Sequence, residues 1–126
     1  MAAHIIVAED EPNIAKSITF LFERAGYKIT VEPEGGRVAD LVFQADPDLL
    51  LLDVMLPGEN GYQILKRLRA DPRAKDLPVI ILSAKGQAED RETALSAGAN
   101  RFVTKPFSNA ELIEAVGALL QERSSG

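Results

Sequence analysis

Two runs of the sequence, LLLL at residues 49–52 and VIIL at residues 79–82, are apolar at every position. A strand with one solvated face alternates apolar and polar residues, so a run without alternation indicates a strand that is covered on both faces. Such strands are typical of parallel sheets whose connecting helices pack on both sides. These two runs therefore favour an α/β fold with helices on either face of a parallel sheet.

The remaining sequence alternates between strand-like and helix-like segments. Short apolar runs predict strands at 4–10, 27–33, 48–53, 78–84 and 101–105. Apolar residues at helical spacing predict helices at 11–26, 35–45, 59–70, 86–99 and 108–121. Five strand–helix pairs in strict order predict a doubly wound α/β sandwich around a five-stranded parallel sheet. We expect one domain over residues 1–121, followed by a disordered tail at 122–126.

Composition excludes several classes of protein. The chain has no cysteine, which excludes disulfides and thiolate metal sites, and its net charge of −5 argues against nucleic acid as a direct partner. The amino terminus lacks the pattern of a signal peptide, and no apolar run approaches the roughly 18 residues of a membrane helix. We therefore expect a cytoplasmic protein that does not bind membranes.

Polar residues stand at the carboxyl ends of four predicted strands. Glu9 and Asp10 follow the first strand, Asp53 ends the third, Ser83 lies at the end of the fourth, and Lys105 ends the fifth. Each has an ordinary explanation as a cap, a loop hydroxyl or a surface cation. In an open parallel sheet, however, ligands bind beyond the carboxyl ends of the strands. We therefore expect these five residues to share one edge of the sheet.

Three carboxylates at one edge repel one another and need a cation. Without histidine or cysteine in the set, oxygen ligands favour a hard divalent ion, above all Mg²⁺. Mg²⁺ usually takes only one or two carboxylates, which leaves another able to act as a nucleophile. A lysine and a hydroxyl at the same edge can hold phosphoryl oxygens. The set is therefore typical of phosphoryl transfer to an aspartate.

Four motifs resemble those of the receiver domains of bacterial two-component response regulators, of the chemotaxis-regulator kind. They are "VAEDEP", "LLLLDVMLPGENGYQ", "VIILSAK" and "FVTKPF", and the resemblance extends over residues 4–121. It implies a (βα)₅ flavodoxin-like fold with strand order 2-1-3-4-5. The order then reverses between the first and third strands, where Asp10 and Asp53 would meet.

The resemblance also implies a role for each acid. Asp53 is similar to the phosphoacceptor, which takes a phosphoryl group from a sensor histidine kinase or a histidine phosphotransfer protein. Asp10 is similar to the direct Mg²⁺ ligand, Glu9 would hold the ion largely through water, and the backbone carbonyl of Met55 would complete the set. Glu9 departs from the more usual aspartate by one methylene.

The same resemblance implies a switch. Lys105 would pair with Asp53 at rest and with a phosphoryl oxygen afterwards, and a cis peptide would join it to Pro106. Ser83 would swing to hydrogen-bond the phosphoryl group, and Phe102 would turn inward behind it. Phe102 replaces a frequent tyrosine, so its movement would act through shape alone. The output surface would comprise the last two helices and the fifth strand.

The partners and the class of activity are expectations of the same resemblance. The output surface would bind a downstream protein or an attached output domain, and a homodimer through it is possible. Whether the receiver stands alone or belongs to a larger protein is left open. We expect no enzyme beyond Mg²⁺-dependent self-phosphorylation and self-dephosphorylation.

Three other functions remain as alternatives. A phosphatase of the haloacid-dehalogenase type needs a second aspartate where Met55 stands. A flavodoxin-like cofactor carrier needs a phosphate loop where "EDEPN" follows the first strand. A docking-only receiver would have no use for the complete set of acids, hydroxyl and amine.

Overall fold

A computed structural model describes residues 2–84 and 88–125 of the 126-residue chain. The strands are β1 His4–Ala8, β2 Lys28–Glu32, β3 Leu49–Asp53, β4 Val79–Ser83 and β5 Arg101–Thr104. The helices are α1 Pro12–Arg24, α2 Gly35–Ala45, α3 Gly61–Arg69, α4 Ala88–Ser96 and α5 Asn109–Ser125. Each predicted element has a counterpart, with ends that differ by a few residues. Residues 86 and 87 of the fourth predicted helix lie outside the described ranges.

The strands form one parallel sheet in the order β2-β1-β3-β4-β5. This confirms the predicted doubly wound (βα)₅ flavodoxin-like fold and its order. The order reverses between β1 and β3, where Ala8 lies beside Leu52. The residues that follow Ala8 and Leu52 therefore lie next to each other at the carboxyl edge of the sheet.

Two apolar layers cover the sheet. One cluster packs between the sheet and helices α2, α3 and α4, and it contains Leu50 and Leu52. The other cluster packs between the sheet and helices α1 and α5, and it contains Leu49 and Leu51. All four leucines are fully buried. Because both faces of β3 are covered, a polar residue at any of these positions would be buried, which explains why the LLLL run lacks polar alternation. Burial of each leucine contributes about 1.5–3 kcal/mol. β3 is thereby fixed in the centre of the core.

The guanidinium of Arg69 connects three segments at the amino-terminal edge of the sheet. It donates to the carbonyl oxygens of Gly98 (Nε, 2.9 Å) and Ala74 (Nη1, 2.9 Å) and to Oδ1 of Asn100 (Nη2, 3.0 Å). Oδ1 of Asn100 also accepts the backbone N–H of Val79 at 2.9 Å. Arg69 therefore ties the end of α3 to the turn between α4 and β5.

The end of the chain differs from the sequence prediction. Helix α5 continues through Ser125, whereas a disordered tail was expected from residue 122. Gln121, Glu122 and Arg123 all have good helix propensity, and no glycine or proline interrupts the sequence before Gly126. Across residues 2–84 and 88–125, none of the helices combines the length and apolar character needed to cross a bilayer.

Candidate functional site

Three carboxylates meet at the reversal of strand order. Glu9 follows β1 and Asp53 ends β3, and their exposed fractions are only 1% and 4%, whereas Asp10 is exposed. One oxygen from each of the three residues lies within 4.8 Å of the others. The structure therefore brings together the three acids that the sequence predicted, with two of them buried.

Lys105 supplies the cation between two of these acids. Its Nζ donates to Oε1 of Glu9 at 2.6 Å and to Oδ2 of Asp53 at 2.9 Å. The backbone holds the lysine in place, because its N–H donates to the carbonyl of Ser83 at 2.7 Å. The peptide bond between Lys105 and Pro106 is cis, as the resemblance implies. The predicted contact with Asp53 is present. The contact with Glu9 was missed, although the longer glutamate side chain was a signal for it.

The contacts and the burial of this cluster shift two pKa values. The pKa of Glu9 is raised to about 7, mainly because burial disfavours its charged form and also because Asp53 lies beside it, while hydrogen bonds from Lys105 and from the backbone N–H of Glu11 act in the opposite direction. Burial acts to lower the pKa of Lys105, but its hydrogen bonds to Glu9 and Asp53 outweigh this and raise it. The lysine therefore stays charged, and Glu9 titrates near neutral pH.

The second oxygen of Asp53 is held by the loop that follows β3. Oδ1 accepts the backbone N–H of Met55 at 3.1 Å, while the Met55 side chain is 72% exposed. The loop then meets α3, because the N–H of Gly61 donates to the carbonyl of Val54 at 2.9 Å. A Cβ atom at Gly61 would lie 2.7 Å from the carbonyl oxygen of Asp53. A glycine is therefore required at the start of α3 for the Asp53 backbone to keep its position.

Ser83 and Phe102 lie on the strands that continue this edge. Ser83 ends β4 one residue beyond Leu82, the neighbour of Asp53 in register, and only 5% of it is exposed. Phe102 on β5 is 6% exposed and packs in the cluster beneath α2, α3 and α4. The guanidinium carbon of Arg91 lies 5.5 Å from its ring centroid. The phenylalanine thus occupies an inward position, and the predicted movements of both residues stay predictions.

The donor set fits a hard divalent cation. Glu9, Asp10 and Asp53 offer carboxylate oxygens close enough to share one ion, and oxygen ligands are those that Mg²⁺ prefers. Lys105 already neutralises part of the charge of the buried pair. The direct coordination by Asp10, the water-mediated role of Glu9 and the ligand carbonyl of Met55 stay predictions.

Comparison with known proteins gives a consistent result. A family model described as the response regulator receiver domain matches residues 5–117. The phosphate regulon transcriptional regulatory protein PhoB of Escherichia coli is 37% identical over 124 residues, which cover 98% of this chain and 54% of that protein. The chain therefore spans about half the length of the curated relatives that it matches.

Solved structures agree with the sequence comparison. The receiver domain of the Francisella response regulator 1452 has a TM-score of 0.90 and 35% identity, with 96% of this chain and 98% of that chain covered. The receiver domain of the sensor histidine kinase PA1611 from Pseudomonas aeruginosa has a TM-score of 0.89 and 29% identity, with 96% and 99% covered. That second structure has a magnesium ion coordinated in its active-site cleft.

Proposed function

Because the chain belongs to the response regulator receiver domain family, we propose that it is a signalling switch in which Asp53 accepts a phosphoryl group. The observation that carries this proposal is the position of Lys105, whose ammonium contacts both Asp53 and Glu9 beside the exposed Asp10. An acid, a cation and a potential metal site thus surround one carboxylate, as phosphoryl transfer requires.

In the proposed reaction, a carboxylate oxygen of Asp53 attacks the phosphorus of a phosphohistidine on a sensor histidine kinase or a histidine phosphotransfer protein. The O–P bond forms as the N–P bond breaks, and the imidazole of the donor leaves with the electron pair and takes up a proton. Lys105 then moves its contact from the Asp53 carboxylate to a phosphoryl oxygen. Its raised pKa supports this role because the lysine remains charged throughout.

Asp10 and Asp53 would hold Mg²⁺ directly, with the Met55 carbonyl as a further ligand and Glu9 acting through water. The bound ion supplies charge neutralisation for the phosphoryl oxygens. The clustered carboxylate oxygens support this assignment. Glu9 would also hold Lys105 close to Asp53 before transfer, because the two side chains are already hydrogen-bonded.

The signal would pass from the site through Ser83 and Phe102. Ser83 would swing to hydrogen-bond the phosphoryl group, and this movement would hold Phe102 in the inward position behind it, which favours one form of the face built by α4, β5 and α5. A downstream protein or an attached output domain would bind this face, and a homodimer through it belongs to the same proposal. The burial of both residues beside the site supports the route.

The proposal places the switch in the cytoplasm, without direct binding to nucleic acid or membranes. It assigns no catalytic turnover beyond Mg²⁺-dependent self-phosphorylation and self-dephosphorylation. Family membership favours this switch over a phosphatase or a cofactor carrier. The relatives include a transcriptional regulatory protein and the receiver of a histidine kinase, so attachment to an output domain or to a kinase is compatible with the proposal, as is a stand-alone receiver.

The test is incubation with acetyl phosphate and Mg²⁺, followed by intact-protein mass measurement. We expect a mass increase of one phosphoryl group, which Asp53→Asn and chelation of Mg²⁺ both abolish. Asp40→Asn is the matched control, because Asp40 is an exposed aspartate on α2, away from the site. Absence of the adduct in the wild type, or its persistence in Asp53→Asn, would contradict the proposal and favour a docking-only receiver.

A further inference from the structure

Strand β2 forms one edge of the sheet, and half of its backbone groups point away from the protein. The N–H of Lys28 donates to the carbonyl of Ala3 at 2.9 Å, and the carbonyl of Glu32 accepts from Glu9 at 3.2 Å. Residues 28, 30 and 32 therefore direct their N–H and C=O groups towards β1. The alternate residues, Ile29 and Val31, direct theirs outward, where another strand can pair with them.

The same edge carries apolar surface on the side of α1. Phe20 is 63% exposed and Val31 is 38% exposed. They border a groove of about 490 Å³ between α1 and β2. Further residues of its walls are Ala15, Pro33 and, at the end nearest the acidic site, Glu9 and Asp10. An exposed aromatic side chain beside an open strand edge is a surface that a partner strand and its side chains can cover.

The charges at the two ends of β2 indicate which strand can pair with it. Lys28 stands at the first position and Glu32 at the last, with Thr30 midway between them. We propose that a second copy of this chain pairs antiparallel with β2, with Thr30 at the two-fold axis. Lys28 then lies opposite the partner's Glu32, and the pair repeats on the other side of the axis. Opposite charges placed directly across an antiparallel pair stabilise it.

The backbone fits the same register. With Thr30 at the axis, Ile29 lies opposite the partner's Val31, so the outward-pointing groups of both residues exchange hydrogen bonds. Thr30 faces the partner's Thr30, which is a favourable cross-strand pair. Pro33 has no N–H and therefore ends the pairing. Side-chain charge and backbone direction thus specify one register, which a foreign strand would match only by chance.

Pairing must also overcome the net charge of −5 on each copy. Repulsion between the two copies therefore disfavours non-specific association, and dimerisation depends on the two ion pairs between Lys28 of one copy and Glu32 of the other. The apolar contribution comes from Phe20, which can enter the partner's groove on the α1 side. The surface differs from the α4–β5–α5 face of the proposed switch, and the pairing does not depend on phosphorylation.

The experiment measures self-association by analytical ultracentrifugation of the unphosphorylated chain over a wide range of concentration at low salt. Wild type should show a monomer–dimer equilibrium. Lys28→Glu and Glu32→Lys should each weaken it by about tenfold or more, because each change places like charges opposite each other. The double variant Lys28→Glu/Glu32→Lys keeps the net charge of −5 and restores both pairs, so its dimer should return to nearly wild-type affinity.

A backbone variant provides a second test. Val31→Pro removes an N–H that points outward and leaves the hydrogen bonds with β1 in place, so it should abolish the dimer while circular dichroism shows a folded chain. A wild type that stays monomeric throughout would overturn the proposal. So would a dimer that persists in Lys28→Glu, or one that dissociates on Ile113→Glu, a change to an exposed side chain of α5. Because no phosphodonor is present, these results are independent of the proposed function.

Discussion

The ammonium of Lys105 lies closer to Glu9 than to Asp53, with Nζ–O distances of 2.6 Å and 2.9 Å. The carboxylate of Glu9 is fully covered, so this contact satisfies a charge that would otherwise be costly to bury. Glu9 thus has two potential partners, the lysine and a metal ion. The balance between them governs several properties of the site.

Shortening Glu9 should release it from the lysine. In Glu9→Asp, the side chain loses one methylene, so we expect the hydrogen bond to Lys105 to lengthen or break. The metal-free protein should lose about 1.5–3 kcal/mol of unfolding free energy, the range for a hydrogen bond to a charged group. Its Mg²⁺ affinity should rise severalfold, because the lysine no longer competes for the carboxylate. Urea denaturation and calorimetric Mg²⁺ titration measure the two effects.

Glu23→Asp is the control for this change, because Glu23 is an exposed glutamate on α1. It should alter neither property. Unchanged Mg²⁺ affinity in Glu9→Asp would show that the lysine and the metal do not compete for Glu9.

The raised pKa of Glu9 predicts a pH dependence of stability. Its ordinary value is 4.5 and its value in the folded protein is about 7, so the folded state holds the proton more tightly than the unfolded chain. The contribution of Glu9 to stability therefore falls as pH rises from about 4.5 to about 7, by at most about 3 kcal/mol.

Glu9→Gln isolates this contribution, because glutamine resembles the protonated acid and does not titrate. Without Mg²⁺, the unfolding free energy of Glu9→Gln minus that of the wild type should increase across this pH interval. Urea denaturation at several pH values provides the measurement. A difference that stays constant with pH would show that Glu9 has an ordinary pKa.

Removing Lys105 should destabilise the protein strongly. Lys105→Met leaves two buried carboxylates without their cation, and loss of one partner from a buried pair typically costs about 3–5 kcal/mol. The loss should be smaller at pH 5, where Glu9 carries a proton. Thermal and urea unfolding at pH 5 and at a pH above the Glu9 pKa of about 7 test this. Lys16→Met, at an exposed lysine of α1, should change stability by less than about 0.5 kcal/mol.

Two glycines should respond in opposite directions to alanine. Gly61→Ala places a Cβ atom 2.7 Å from the Asp53 carbonyl oxygen, so we expect a loss of about 1–3 kcal/mol or more and slower phosphorylation of Asp53. Gly117→Ala in α5 meets no heavy atom within 4 Å in the described part of the chain, so it should stabilise the helix by about 1 kcal/mol. Losses of equal size in both variants would refute the steric role of Gly61.

The hydroxyl of Thr19 on α1 is buried and has no hydrogen-bond partner within residues 2–84 and 88–125. Thr19→Val replaces it with a methyl group of similar shape, so the unfolding free energy should rise by about 1 kcal/mol. Thr30→Val provides the contrast, because Oγ1 of Thr30 is hydrogen-bonded to Nε2 of His4 at 2.8 Å. That variant should lose about 1 kcal/mol, and urea denaturation compares the two.

Much of the fold was predictable because burial leaves a direct trace in the sequence. The LLLL and VIIL runs indicate strands covered on both faces, and parallel strands bring their carboxyl ends to one edge. The convergence of Asp10, Asp53 and Lys105 follows from that geometry. The order of the strands does not, since apolar patterning leaves the order open, and only the resemblance supplied it.

Details that depend on the reach of single side chains were not predictable. The contact between Lys105 and Glu9 depends on rotamers and on one methylene. The buried hydroxyl of Thr19 depends on how α1 rests on β2. Helix α5 continues through Ser125 because its last turn contains neither glycine nor proline. The small polar residues near the end of the chain favoured a disordered tail and gave no sign that the helix continues.

The hydrogen bonds of Arg69 have a mechanical consequence for α4. The helix ends at Ser96, and the carbonyl of Gly98 just beyond it accepts from Arg69, so this end is anchored to α3. Ser83 ends β4 and therefore comes before the amino-terminal end of α4 in the chain. A rearrangement that starts at Ser83 would therefore rotate α4 about its anchored carboxyl-terminal end, with the largest displacement at its first turn.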